Sequence, residues 1–205
     1  MLEAVTYQGM LNHIRENEIC EDIIGILITR PDLEVGKSIM DSLNYYHHIT
    51  GKDINCYLPG YGAYWYGTYR DGKSISKIEG VDWSYSDKMF VNFIRDMEKY
   101  SKWEYSGESE LLLLEYKDGV LSFDGMLRFY LDGMLRDNVI TSVSAFITKL
   151  SKGCKRNRDL ENISDFLGKK EFVNVTKQTI LDKLPTYLSD IVKHEKYFCV
   201  GNYSK

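Results

Sequence analysis

Gly67-Thr68-Tyr69-Arg70-Asp71-Gly72-Lys73-Ser74 fills every fixed position of the phosphate-loop pattern, GxxxxGK followed by Ser or Thr. Such a loop points backbone N–H groups at phosphates, its lysine reaches the terminal phosphates and its hydroxyl binds magnesium. On that reading Gly67, Gly72, Lys73 and Ser74 hold a nucleotide, and Glu115, closing the apolar run Leu111–Leu114, orders the metal. The surroundings argue against it. A phosphate loop leaves an aliphatic strand and enters a helix whose N-terminus completes the site. Here the approach is Ala63-Tyr64-Trp65-Tyr66, and Gly80 interrupts soon after Ser74. A nucleotide-binding enzyme using residues 67–74 is therefore the alternative reading. A second Gly-Lys-Ser, at 36–38, has Pro31 where the first glycine belongs and reads as the opening turns of a helix.

Arg30, Asp32, Tyr61, Tyr64 and Trp65 form the second constellation. Arg30 and Asp32 follow one apolar run, and the aromatics follow another. If the two runs are parallel strands, all five residues leave the same edge of a sheet, where ligands of open α/β sheets bind. One cation, one anion and several aromatics suit a small planar ligand, a nucleotide or a peptide. They equally suit a protein partner or a homo-oligomer contact, because aromatic-rich patches mark interfaces as well as pockets.

Other reactive side chains have plainer readings. His47 and His48 are adjacent near a helix end. Neighbours on a helix point about 100° apart, so they do not chelate one ion, and a cation there complements the helix dipole. Cys20, Cys56, Cys154 and Cys199 are dispersed, with no CxxC and no histidine at metal-ligand spacing. That pattern predicts reduced thiols in a cytoplasmic protein, with Cys56 a buried structural residue. No catalytic set and no cofactor is implied.

The elements that must position these residues start with Ile23–Thr29, an unbroken apolar run that predicts a strand covered on both faces. Pro31 and Asp32 predict a helix start, Val35, Ile39, Leu43 and Tyr46 its buried stripe, and Gly51 its end. Ile54–Leu58 predicts a parallel neighbour strand joined by a right-handed crossover. Residues 2–17 read as a helix. Residues 59–85, rich in Gly, Tyr and Trp, break every period and read as a long packed-down loop with room for a hairpin. Ser86 caps a helix to Ser101. Glu110–Tyr116 and Val120–Phe123 form a hairpin around Asp118-Gly119. Asp124 then caps a helix carrying Leu127, Tyr130, Leu131, Met134 and Leu135, and another helix starts near Asn138. A polar break at Ser151–Arg158 precedes further helices, the last one kinked at Pro185.

The order from residue 22 to 136 resembles, by topology alone, the thioredoxin-like β-α-β-α-β-β-α core. Redox members of that class place a CxxC after the first strand. Here Thr29-Arg30-Pro31-Asp32 stands there, so the resemblance implies the fold without the redox chemistry. The expected fold is α/β: this core with an N-terminal helix, the aromatic loop as an insertion, and a helical C-terminal extension. The expected domains are a core at 1–150 and the extension at 151–205. A length of 205 residues and 43% apolar content support a buried core. The N-terminal segment is charged throughout and reads as neither signal peptide nor membrane span. A net charge of −4 makes no case for nucleic acid, although residues 151–205 carry eleven Lys/Arg against seven Asp/Glu, which reads as a solvated face. The expected function is a soluble, non-catalytic binding or protein-interaction module, with its surface at the C-terminal sheet edge under loop 59–85.

Overall fold

The computed structural model describes residues 2–4, 6–17, 21–65, 67–156, 160, 163, 193–194 and 197–205. Readings that fall within residues 164–192, including the kink at Pro185, lie outside the described residues. The fold is mixed α/β, built on a seven-stranded sheet in the order β1-β3-β2-β7-β8-β10-β9. These strands are β1 (Leu2–Ala4), β2 (Glu21–Ile28), β3 (Asn55–Pro59), β7 (Glu110–Lys117), β8 (Val120–Tyr130), β9 (Lys193–His194) and β10 (Phe198–Gly201).

β2 lies inside this sheet, parallel to β3 and antiparallel to β7 along its whole length. Ile23, Ile24, Ile26, Leu27 and Ile28 are all fully buried, so both faces of the strand are covered. Two groups of helices provide the cover. α1 (Tyr7–Glu16) packs on α4 (Asp87–Tyr100). α2 (Glu34–Asp41), α3 (Leu43–Asp53), α5 (Leu131–Arg136) and α6 (Val143–Arg156) pack among themselves.

Several expected elements shift. Leu2–Ala4 is not helical; it pairs in parallel with Tyr57–Pro59 as β1, and the helix waits for Thr6, whose hydroxyl caps it by accepting from the Gly9 N–H. Pro31 and Asp32 form a turn, not a first helical turn. The N-cap of α2 is Leu33, which has no side-chain acceptor to offer. The carboxylate that Asp32 was expected to supply comes from Asp132, which accepts from the Val35 N–H at 3.2 Å. The long helix breaks at Ser42 and continues past Gly51 to Asp53.

Up to Tyr130 the helix expected from Asp124 is strand instead, and Leu131–Arg136 is helical as α5. Leu127 and Tyr130 recur at helical spacing, but Leu127 pairs with β7 on one side and with β10 on the other. Between Leu113 and Glu115 the partner positions on β8 run from Leu127 back to Ser122, so β8 bulges there around Asp124 and Gly125, the latter at φ 68°. The next helix starts at Val143 rather than Asn138 and runs through the expected polar break. The C-terminal extension, expected to be helical, contributes two strands, and β10 joins the main sheet against β8.

The hairpin at Asp118-Gly119 is as expected, with both residues at positive φ, as the tight turn requires. Residues 59–85 are more ordered than a loop. They form a second sheet in the order β4-β6-β5, from β4 (Tyr61–Ala63), β5 (Lys73–Ile78) and β6 (Val81–Tyr85). β5 and β6 join through Glu79-Gly80, again both at positive φ.

One buried ion pair ties β7 to β8. The Glu110 side chain is fully buried and that of Arg128 is nearly so. Arg128 donates to both carboxylate oxygens at 2.7 and 2.6 Å, the two-pronged geometry that suits a guanidinium. Glu110 also accepts from Trp103 Nε1 and the Ser106 N–H, and Arg128 donates to the Glu104 carbonyl. Removing one member leaves a buried charge alone. We expect Arg128→Met to cost about 3–5 kcal/mol, and Glu110→Leu combined with Arg128→Met to recover most of that loss. Urea denaturation of the single and double variants checks this.

Candidate functional site

β1, β3 and β2 run parallel, so their C-terminal ends share one edge of the sheet. β7 starts and β8 ends at the same edge, since Ile28 faces Glu110 and Glu110 faces Tyr130. The edge therefore gathers the β2–α2 turn, the start of β4, the segment before β7 and the start of α5.

Arg30 is the centre of what gathers there. Its guanidinium lies over the Phe90 ring, 5.1 Å from the centroid. Tyr85 and Tyr105 lie 6.1 and 5.6 Å from the same ring, and Tyr61 packs on Tyr85 at 4.7 Å. Gly36 lets α2 close onto this turn, because a Cβ there would fall 1.8 Å from the Arg30 carbonyl oxygen. That contact accounts for the glycine of the second Gly-Lys-Ser.

Most polar groups at this edge are already engaged. Tyr61 donates to the Thr29 carbonyl at 3.2 Å, and the Thr29 and Ser109 hydroxyls meet at 2.7 Å. Tyr85 donates to Asp87 at 2.9 Å. Asp132 accepts from the Val35 and Ser109 N–H groups. Two donors have no acceptor among the described residues: Arg30 Nε and the Tyr105 hydroxyl, both inaccessible to solvent. Buried donors are paired in nearly all native structures, and leaving one unpaired costs about 1–3 kcal/mol.

Burial pushes the Tyr105 phenol up to about 12, with Arg30 pulling the other way. Burial also raises Tyr61, with its Tyr85 neighbour adding to the effect, and it raises Tyr85, where the bond to Asp87 adds further. All three are neutral hydrogen-bonding groups at physiological pH, not phenolate bases. Cys56 is pushed up to about 11 by complete burial, a thiol and not a nucleophile. Among the described residues no three His, Cys, Asp or Glu side chains gather to hold a metal.

The structure therefore brings Arg30, Asp32 and Tyr61 to one edge and treats the other two expected residues differently. Tyr64 is 80% exposed, at φ 61°. Trp65 is buried, with its indole on the face of Gly62, where a Cβ would come within 2.3 Å, and against Tyr69 at 5.0 Å. Trp65 packs within the 59–85 segment itself, whereas Trp83 and Tyr85 belong to the main core. The sequence predicts a packed-down segment, and tertiary contact decides that Trp65 is covered while Tyr64 is not. Phe90, Tyr85 and Tyr105 were missed as site residues. Phe90 reads as an ordinary core position of α4, and only tertiary contact puts Arg30 on its ring.

The phosphate-loop residues are not assembled. Gly72 leads into strand β5, where Lys73 and Ser74 are exposed. The nearby helix N-terminus, that of α4, is already occupied. The Ser86 hydroxyl accepts from the Met89 N–H, and Asp71 accepts from the Lys88 N–H at 2.9 Å and from the Ser86 hydroxyl. Glu115, on the other sheet, accepts from the Leu160 N–H and pairs with Lys117, both at 2.8 Å.

A groove of about 710 Å³ lies at the opposite end of β2, beside the β7–β8 hairpin, with Tyr7, Tyr100, Lys117, Val120, Phe123 and Lys205 among its walls. Tyr7 and Tyr100 stack there at 5.6 Å. Its lysines are committed: Lys117 to Glu115, and Lys205 to the last carbonyls of α4. No protein-family model matches this chain, and no curated protein or solved structure proves similar to it.

Two outcomes are expected. The Lys88 N–H holds the Asp71 carboxyl below the usual carboxylate range, with the Ser86 hydroxyl assisting. A lowered folded-state value stabilises the protein above the unfolded value and loses that contribution as pH falls through the folded one. Asp71→Asn should thus cost under about 1 kcal/mol at pH 7, given a solvated carboxylate at a helix N-terminus. The difference from wild type should vanish in strong acid, as read from urea midpoints across pH. Trp65→Ala should cost about 3 kcal/mol in the same assay, as a buried indole does; a loss near zero would return Trp65 to the surface.

Proposed function

We propose that this chain is a binding module without catalysis of its own, which receives a small ligand or a partner's side chain at the C-terminal sheet edge around Arg30, Asp32, Tyr61, Tyr85 and Tyr105. The observation that carries this reading is the pair of buried donors without acceptors among the described residues, Arg30 Nε and the Tyr105 hydroxyl, whose side chains both pack on Phe90. Groups that pack this closely around an unmet hydrogen-bonding need are what a preformed binding site presents.

The strand order supports a thioredoxin-like core. A first strand flanked by a parallel second and an antiparallel third, with the fourth beyond it, is the arrangement β3-β2-β7-β8. In that core the turn after the first strand carries the chemistry, and Arg30 occupies it here. A cytoplasmic location fits the buried thiol of Cys56. No helix among the described residues is long and apolar enough to cross a membrane.

The test is a fragment screen by amide NMR on the full chain, with charged and neutral fragments. Hits should perturb the backbone of Arg30–Leu33, Tyr61, Tyr85 and Tyr105 together. Hits confined to the groove beside Tyr7 and Tyr100, or no hits at all, would overturn the reading.

A further inference from the structure

Resting on the reading of this edge as a binding surface, we infer that its ligand presents an anionic oxygen group, a carboxylate or a phosphate, to Arg30 and Tyr105. Both unmet atoms are donors in need of an acceptor. Arg30 carries the positive charge that bears on Tyr85 and Tyr105, and its guanidinium makes no ion pair among the described residues. The guanidinium lies over the Phe90 ring, and a guanidinium matches a carboxylate or phosphate in two-pronged fashion.

The carboxylates close by do not fill this role. Asp87 is bound to Tyr85, and Asp132 to the Val35 and Ser109 N–H groups. Glu110 is held by Arg128. Asp32 is exposed and bonded to no described group. A cationic ligand would meet Arg30 head-on, and a purely apolar one would leave both donors unmet.

The experiment follows the Arg30 Nε–H resonance of the full chain by nitrogen-15 NMR during titration with inorganic phosphate or with acetate, against chloride at matched ionic strength. A saturable shift with one of the two anions is expected, and the tighter binder identifies the ligand as a phosphate or a carboxylate. Followed through backbone amides, the response should disappear in Arg30→Gln, weaken severalfold in Tyr105→Phe and strengthen severalfold in Asp32→Asn, which removes a repelling charge. Asp32 is exposed, so its variant keeps the fold and stands as a test even where another variant does not. Absence of a saturable response to both anions, or a response that survives Arg30→Gln, would overturn the inference. If neutral or cationic fragments still bind at the edge in that event, only the anion assignment falls. If no fragment binds there, the surface reading falls with it.

Discussion

The Glu110–Arg128 pair is where the main sheet and the candidate site depend on one another. A carboxylate with no solvent exposure is tolerable only when its oxygens are saturated, and Glu110 meets that condition with four donors: two from Arg128, one from Trp103 and one from Ser106. Those donors come from strand β8 and from the segment just before β7. The pair therefore fixes the register of β7 on β8 at the same time as it pins residues 103–106. Tyr105 lies inside that pinned segment, so its unmet hydroxyl is held in place by a charge pair in the sheet rather than by bonds of its own. Arg128 is also covered by Tyr130, whose ring lies 4.8 Å away, and by Trp103.

The edge that results is built from segments distant in the chain, each with a structural duty. Asp132 stands in for the missing cap of α2 and binds the Ser109 N–H, which joins α2, α5 and the approach to β7. Thr29 and Ser109 close the same junction by their hydroxyls. With these bonds made, Arg30 is left with stacking as its described contact. The raised phenols stay neutral at physiological pH and act there as hydrogen-bonding groups.

The aromatic segment 59–85 serves as support for this edge. Its sheet places Tyr61 and Tyr85 beside each other on adjacent strands. Gly60, at φ 81°, brings the turn within contact of Phe90, where a Cβ would come to 2.7 Å. The Gly60 carbonyl also accepts from the Ser86 N–H, so the small sheet and α4 are joined at one point. Trp65 and Tyr69 pack edge to face within the segment. Asp71, inside the phosphate-loop pattern, caps the same helix.

Local patterning was enough for the elements whose driving force is local. The apolar run of β2, the hairpin at Asp118-Gly119 and the Ser86-capped helix are each specified by a few adjacent residues, and the structure keeps them. Placing Arg30, Asp32 and Tyr61 at one sheet edge was also legible, because parallel strands put their C-terminal ends together. Where a segment had two self-consistent local solutions, tertiary pairing chose between them. Leu127 and Tyr130 could share a helix face, but β7 and β10 pair with Leu127 on either side and keep the segment a strand. Asp32 could have capped α2, but Asp132, a hundred residues on, reaches the Val35 N–H instead. Trp65 has no helical period to bury it, yet contact with Gly62 and Tyr69 does. The meeting of Arg30 with Phe90 and Tyr105 has no signature in sequence spacing, since it depends on three elements closing over one another, and that closure made the site.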